Sequence, residues 1–193
     1  LIGRHLEDLQ RYPDPDAQAL REAIAAFHGL TPDTILPGNG AAELIWLVAR
    51  LRPIAKAVIV VPTFSEYGWA VEHSGAVMVE EVVADEDRRF ELDMSAQAWD
   101  GKLAGADVVF LCNPNNPTGA VVRRDEVLRL AQWCRQHGAL FVVDECFVDF
   151  AEHPEQVSML PDAVREDHVV VLRSLTKSFA VPGLRLGYLA AHE

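Results

Sequence analysis

The chain has 193 residues, half of them hydrophobic, and its formal net charge at pH 7 is −12. A chain of this length can bury the core of one domain, or of one domain and part of another. The acidic balance and the lack of a basic run argue against a nucleic-acid partner. No apolar run reaches the length of a membrane span and the first residues do not resemble a signal peptide, so we expect a cytoplasmic protein with no membrane partner.

The cysteines predict no cross-link. Cys112, Cys134 and Cys146 are odd in number and unevenly spaced. This pattern indicates neither a disulfide framework nor a metal site. We therefore expect three buried, reduced thiols, as is usual for intracellular proteins.

Helical and strand patterns alternate along the chain. After a turn at 12–15, Asp16 is placed to cap a helix whose apolar residues recur at helical spacing as far as Phe27, and Gly29 ends that helix. Further helices are predicted at 44–51, 66–73, 96–103 and 124–137. Strands are predicted at 57–61, 77–83, 107–111, 139–143, 169–172 and 184–190, and the charged stretch 85–89 predicts a solvated loop.

This alternation predicts an α/β fold with a mainly parallel sheet covered by helices on both faces. The run 107–111 is apolar almost throughout, which is typical of a strand in a doubly covered sheet. In such sheets ligands bind at the carboxyl ends of the strands. Asn116 follows the third predicted strand, Asp144 ends the fourth and Lys177 follows the fifth. We therefore expect these three side chains to lie close together.

Lys177 lies in the stretch 174–188, whose other residues are mostly small, hydroxylic or apolar and include one other cation, Arg185. Desolvation of a sheltered lysine lowers its ammonium pKa and makes the free amine a nucleophile toward carbonyls. The alternative is a half-buried lysine with a structural role. The segment alone does not separate the two interpretations.

A glycine turn, Gly38-Asn39-Gly40, runs into an apolar helix. A turn of this kind presents free backbone N–H groups and the positive end of the helix dipole, which together can bind an anion. The alternative is a plain turn. A dinucleotide-binding module is disfavoured because the glycine spacing of its fingerprint is absent.

Three motifs occur in order: Asn-Pro-Thr-Gly at 116–119, Asp144-Glu145, and Ser-x-x-Lys at 174–177 followed by Arg185. Their combination resembles the fold-type I pyridoxal 5′-phosphate enzymes, the aspartate aminotransferase superfamily (class I/II). The resemblance implies that Lys177 is the catalytic residue, which links covalently to the cofactor and later shuttles a proton. It also implies that Asp144 pairs with the pyridine nitrogen, although Asp144 could instead be a helix cap or a turn residue.

The resemblance assigns the remaining contacts to the cofactor. Asn116 would hydrogen-bond the phenolic oxygen, or would otherwise belong to a plain Asn-Pro turn. Phe64 would stack on the pyridine ring, or would otherwise be a core aromatic. Six residues would hold the phosphate: Gly40, Ala41, Ala42, Ser174, Thr176 and Arg185. A guanidinium suits this role because its planar fork matches phosphate oxygens and stays charged.

The resemblance also concerns assembly and domain limits. Tyr12 matches a tyrosine that reaches the phosphate across a dimer interface in relatives, which implies a homodimer. Residues 1–193 would form the cofactor-binding large domain, incomplete because an N-terminal arm and a C-terminal small domain are absent. The small domain is where the family carries the arginine that binds the substrate carboxylate.

Within the superfamily, one position is informative. Histidinol-phosphate aminotransferases usually carry a tyrosine three residues after the aspartate, and this chain has Phe147 there. That residue and four motifs (37–40, 64–68, 147–150 and 172–177) look like the threonine-phosphate decarboxylases of cobalamin biosynthesis. The implied substrate is L-threonine O-3-phosphate, which is converted to (R)-1-amino-2-propanol O-2-phosphate and carbon dioxide. The alternatives are a histidinol-phosphate-type aminotransferase and a cofactor-binding fragment without catalysis.

Overall fold

The computed structural model describes residues 2–76, 78–84, 87 and 89–193. Val77 and residues 85, 86 and 88 of the predicted charged loop lie outside the described residues. The α-helices are α1 Gln18–His28, α2 Ala41–Val48, α3 Glu66–His73, α4 Ala96–Leu103, α5 Arg124–Gln136, α6 Leu160–Ala163 and α7 Leu175–Ser178. The strands are β1 Ile35–Gly38, β2 Lys56–Val61, β3 Met78–Val83, β4 Val108–Cys112, β5 Leu140–Asp144, β6 Val169–Ser174 and β7 Gly187–Ala191. The 3₁₀ helices are Ile2–Gln10, Pro32–Thr34, Val148–Phe150, Pro154–Gln156 and Pro182–Leu184.

In the described residues the seven strands form one sheet in the order β1-β7-β6-β5-β4-β2-β3. Strands β3, β2, β4, β5 and β6 are parallel. Strand β7 pairs antiparallel with β6, and β1 pairs antiparallel with β7. The prediction of a mainly parallel α/β sheet is confirmed. Three details were wrong: β1 was taken for part of a turn, α2 occurs at Ala41–Val48 rather than at 44–51, and β7 begins at Gly187 because Pro182–Leu184 forms a 3₁₀ turn first.

Helices cover both faces of the sheet. Since alternate residues of a strand point to opposite faces, each buried strand contributes side chains to the core on both sides. Along β4, Val109 and Leu111 face a cluster formed with α1, α4, α5 and α6. Val108 and Phe110, also on β4, face a second cluster formed with α2 and α3. All five residues of β4 and all six of β6 are buried, and β4 together with the first four residues of β6 forms apolar runs that do not alternate with polar residues.

The first helix begins differently from the prediction. The carboxylate of Asp14, rather than Asp16, accepts hydrogen bonds from the backbone N–H of Gln18 at 2.8 Å and of Asp16 at 3.1 Å. The helix ends as predicted at Gly29, which has a φ of 68°. Phe27 follows the helical spacing but is 84% exposed, so it does not belong to the core.

All three cysteines are buried and free, as predicted. Within the described part of the chain, none of the helices combines the length and the apolar character that a bilayer crossing requires.

Candidate active site

The carboxyl ends of β4, β5 and β6 lie side by side. The strand register pairs Cys112 with Asp144 and Asp144 with Leu172, and α7 begins directly after β6. A cavity opens at this edge. It is lined by Ala41, Ala42, Phe64, Tyr67, Cys112, Asn116, Asp144, Cys146, Phe147, Ser174, Lys177 and Arg185. Eight of the predicted site residues therefore line one cavity, although they come from six separate segments of the chain.

Asp144 is the buried anion of this cavity. Its side chain ends a fully buried stretch of β5, and the residue is 3% exposed. One carboxylate oxygen accepts a hydrogen bond from the Tyr67 hydroxyl at 2.7 Å, and the other accepts one from the Cys146 backbone N–H at 2.9 Å. Among the described residues no lysine, arginine or histidine forms an ion pair with it. A buried carboxylate without a cation is costly, so the site is suited to a ligand that brings a positive charge.

Tyr67 is a site residue that the sequence analysis missed. Its ring stacks on Phe110 with centroids 5.3 Å apart and meets Phe64 edge to face at 5.9 Å. Burial and the neighbouring Asp144 raise the pKa of Tyr67 well above its ordinary value, so the hydroxyl stays protonated and donates. Its position three residues after Phe64, at the start of α3, was the available signal.

Lys177 is less sheltered than predicted. It lies at the end of α7, and its side chain is exposed rather than half-buried. The ammonium donates a hydrogen bond to the Ser174 hydroxyl at 3.3 Å and lies 5.6 Å from the ring centroid of Phe147. The amine is therefore directed into the cavity by hydroxyl and aromatic neighbours, but it is accessible from solvent.

The turn predicted as an anion cradle lies at the start of α2. The first N–H groups of a helix have no acceptor within it, and here they belong to Ala41 and Ala42, which line the cavity. Gly40 has a φ of 82°, and a Cβ at this position would lie 2.8 Å from the Arg185 guanidinium. The glycine thus leaves room for Arg185 beside the helix end.

Two residues predicted for the cradle lie behind it. The Gly40 N–H donates to the Gly38 carbonyl at 2.8 Å, so it is not available to a ligand. Thr176 is buried, and its hydroxyl hydrogen-bonds Ser174 at 2.7 Å. Thr176 therefore contacts the cavity only through Ser174. Tyr12 lies outside this cavity and is 101% exposed.

The loop that carries Asn116 is braced by its other asparagines. Asn113 exchanges two hydrogen bonds of 2.8 Å with the backbone of Val122. The Asn115 amide donates to the Pro62 carbonyl at 2.9 Å and to the Thr118 hydroxyl at 2.8 Å. These contacts replace the ladder that the prolines interrupt, and they leave Asn116 facing the cavity.

A buried charged cluster lies next to the site, and the sequence analysis did not predict it. Glu145 is 1% exposed and accepts hydrogen bonds from Arg173 Nε at 2.9 Å, from the Ser158 hydroxyl at 2.8 Å and from the Met159 N–H at 2.5 Å. Arg173 also donates to Asp149 at 3.1 Å. The Glu145–Arg173 pair differs from a surface ion pair, because both side chains are buried and both charged groups are hydrogen-bonded.

Pyridoxal 5′-phosphate is the group that the motifs imply, and each of its parts has a suitable partner in the cavity. The free amides of α2 and the Arg185 guanidinium suit its phosphate, and the Lys177 amine suits its aldehyde. The buried carboxylate of Asp144 suits its ring nitrogen, and Phe64 offers an aromatic face. The residues present therefore fit this cofactor.

Comparison with known proteins agrees with this chemistry. The chain is 38% identical over 192 residues to the threonine-phosphate decarboxylase of Salmonella typhimurium, covering 96% of this chain and 50% of that protein. It is 36% identical over 185 residues to the histidinol-phosphate aminotransferase of Stenotrophomonas maltophilia, covering 94% of this chain and 50% of that protein. The chain thus spans about half the length of the curated relatives it matches.

A solved structure has the same fold. The crystal structure of L-threonine-O-3-phosphate decarboxylase from Porphyromonas gingivalis matches with a TM-score of 0.81 and 30% identity, covering 99% of this chain and 54% of that one. The family model for aminotransferase class I and II matches residues 5–193. The chain belongs to the aminotransferase class I and II family, whose enzymes depend on pyridoxal 5′-phosphate.

Proposed function

We propose that the protein containing this chain decarboxylates L-threonine O-3-phosphate to (R)-1-amino-2-propanol O-2-phosphate and carbon dioxide, a step of cobalamin biosynthesis. The observation that carries the proposal is Phe147, which lines the cavity 5.6 Å from the Lys177 ammonium at a position where histidinol-phosphate aminotransferases usually carry tyrosine. The 38% identical Salmonella relative supports the same substrate class.

The residues divide the work of holding the cofactor. Pyridoxal 5′-phosphate, when bound, supplies an aldehyde for a primary amine and a ring that accepts electrons from a bond broken at the substrate Cα. Arg185, Ser174 and the α2 amides would hold its phosphate. Asp144, itself fixed by Tyr67, would keep a proton on the ring nitrogen. Phe64 would cover the ring, and Asn116 would donate to its phenolic oxygen.

Lys177 would hold and deliver the proton that replaces the carboxyl group on the substrate Cα. Its exposure to solvent and its contact with Ser174 leave the amine free to accept and release that proton. Phe147, which has no hydroxyl, offers no hydrogen bond to the phenolic oxygen.

A second candidate is a histidinol-phosphate-type aminotransferase, which the 36% identical Stenotrophomonas relative supports. The two reactions need the same cavity residues and differ in which bond to Cα is broken. The third candidate is cofactor binding without catalysis by this stretch alone, since the chain spans about half of its relatives.

The assignment extends to organisation. We propose that residues 1–193 are the cofactor-binding large domain, that the protein is a cytoplasmic homodimer, and that the arginine for the substrate carboxylate lies outside this stretch. The single sheet and the half-length match to relatives support this domain assignment.

The test uses the full-length protein. Incubation with L-threonine O-3-phosphate should release carbon dioxide and a phosphorylated amine, and Lys177→Ala should abolish both this release and the visible absorption of the bound cofactor. A keto product that depends on 2-oxoglutarate would overturn the decarboxylase in favour of the aminotransferase. Binding of the cofactor by residues 1–193 alone, without either product, would support the third candidate for this stretch.

A further inference from the structure

One carboxylate joins the two ends of the stretch that carries the site lysine. This stretch, residues 173–178, is called the lysine segment and runs from the end of β6 through α7. Asp149 accepts a hydrogen bond from Arg173 Nη1 on one oxygen at 3.1 Å and from the Ser178 hydroxyl on the other at 2.5 Å. Asp149 itself lies in the 3₁₀ helix that follows Asp144 and Glu145.

Arg173 gives this bridge a fixed base. Its side chain is 8% exposed, and besides Asp149 it donates to Glu145 at 2.9 Å and to the Ser158 hydroxyl at 3.0 Å. A guanidinium already held by two partners loses little further freedom when it binds a third, so its contact with Asp149 is worth more than an ordinary surface ion pair. The half-exposed Asp149 is thus tied to a buried anchor.

The Lys177 side chain has few contacts of its own. Lys177 is exposed, and within the described residues the hydrogen bond that its ammonium donates, to Ser174, is long at 3.3 Å. Its backbone carbonyl accepts from the Ala180 N–H at 3.1 Å, and the lysine segment ends at Arg173 and Ser178, both of which Asp149 contacts. A reactive amine must be held within a fraction of an ångström of its target, and small displacements lower reactivity strongly.

We propose that Asp149 is a positioning residue for Lys177, which it holds by clamping Arg173 and Ser178. Asp149 lies five residues after Asp144, the last residue of β5, so the clamp ties the amine to the segment that carries the carboxylate of the cavity. The inference deepens the proposed function and rests on it, because it requires that Lys177 link to an aldehyde.

The experiment compares two ligands in the full-length apoprotein. Pyridoxal 5′-phosphate can link to Lys177, whereas pyridoxamine 5′-phosphate has no aldehyde and cannot. Asp149→Ala and Ser178→Ala should each weaken binding of the aldehyde roughly five- to tenfold, the effect of one or two lost hydrogen bonds, and leave binding of the amine unchanged. Ser178→Thr keeps the hydroxyl and should restore the wild-type affinity.

Asp162→Ala is the matched control. Asp162 also accepts hydrogen bonds from an arginine, Arg124, but lies on α6 and does not line the cavity. Loss of affinity for both ligands, or for neither, would contradict the role proposed for Asp149. If Asp149→Ala does not fold, the variants of the exposed Ser178 still give this test. If the wild-type protein itself does not prefer the aldehyde, the proposed function fails and the clamp fails with it. If the wild-type protein prefers the aldehyde and Asp149→Ala keeps that preference, the clamp is contradicted and the proposed function is not.

Discussion

At the scale of single residues, the site is organised by a carboxylate that has hydrogen-bond donors but no cation. Tyr67 and the Cys146 N–H neutralise part of the cost of burying Asp144. Since burial and Asp144 both raise the pKa of Tyr67, its hydroxyl stays protonated and remains a donor. Tyr67 is therefore a determinant of the site even though it needs no contact with a ligand.

Tyr67→Phe should lower the free energy of unfolding of the apoprotein by about 1–3 kcal/mol, because it leaves a buried carboxylate oxygen without its donor. Urea denaturation measures the change. Tyr12→Phe, which alters a fully exposed hydroxyl, is the control and should change it by less than about 0.5 kcal/mol. Equal effects from the two variants would contradict the role given to Tyr67.

Sequence patterns predicted which residues lie together better than they predicted the surroundings of those residues. Asp144, Asn116 and Lys177 follow successive strands, and the rule for parallel sheets brings them together as expected. The exposure of Lys177 could not be predicted, because it depends on how α7 leaves the sheet. The Glu145–Arg173 pair was missed for a similar reason, since a contact between neighbouring strands depends on their register.

At the scale of elements, the anion cradle depends on a close approach between α2 and β7. A Cβ on Gly187 would lie 2.7 Å from the Ala41 nitrogen and 2.8 Å from the Gly40 carbonyl carbon. The obstructing atoms are backbone and cannot move aside by changing a rotamer. Glycine at 187 therefore permits the helix end to rest on the strand.

Gly187→Ala should lower the free energy of unfolding by about 1–3 kcal/mol through overpacking, and should weaken the binding of phosphate compounds at the cradle. Gly101→Ala is the matched control: Gly101 lies within α4 with nothing within 4 Å of an added Cβ, and the change should stabilise the protein by about 0.5–1 kcal/mol. Chemical denaturation of both variants measures the contrast. A Gly187→Ala variant as stable as wild type would refute the close approach.

The elements that periodicity describes were predicted well. Helix α5 was expected at 124–137 and occurs at Arg124–Gln136, and its buried residues are Val127, Leu130, Ala131 and Cys134. Strand β1 escaped prediction because Pro37 and Gly38 are typical of turns, and a proline is tolerated in a strand only near an edge. The direction of β7 could not be predicted, since it is set by the connection through Pro182–Leu184 rather than by residue pattern.

At the scale of the whole molecule, Tyr12 is the outlying residue. Its side chain is entirely exposed, and it does not line the cavity of its own chain. The family resemblance assigns it to the phosphate of a partner subunit. If that assignment holds, the cavity described above is completed only when two copies associate.

The full-length protein should sediment as a dimer, and Tyr12→Phe should weaken the binding of pyridoxal 5′-phosphate a few-fold without changing the sedimentation coefficient, because it removes one hydrogen bond to the phosphate. Sedimentation velocity and a fluorescence titration provide the two readouts. Mixing Tyr12→Phe with Lys177→Ala subunits distinguishes a contact between subunits, since half of the sites in the mixed dimer would carry both defects and half neither. A monomer that binds the cofactor at full strength would contradict this assembly.

The antiparallel pairing of β1 with β7 also affects the order in which parts of the chain fold during synthesis. Gly38 pairs with Gly187, so β1 cannot pair until β7, which is synthesised much later, is available. Until β7 has joined the sheet, the end of α2 has no strand to rest on and Arg185 has no place beside Gly40. A nascent chain that stops before Arg185 therefore has no cradle, however well its earlier helices have formed. Binding of the cofactor therefore requires the completed sheet. Because a ligand stabilises the form that binds it, the cofactor increases the population of molecules whose sheet is complete.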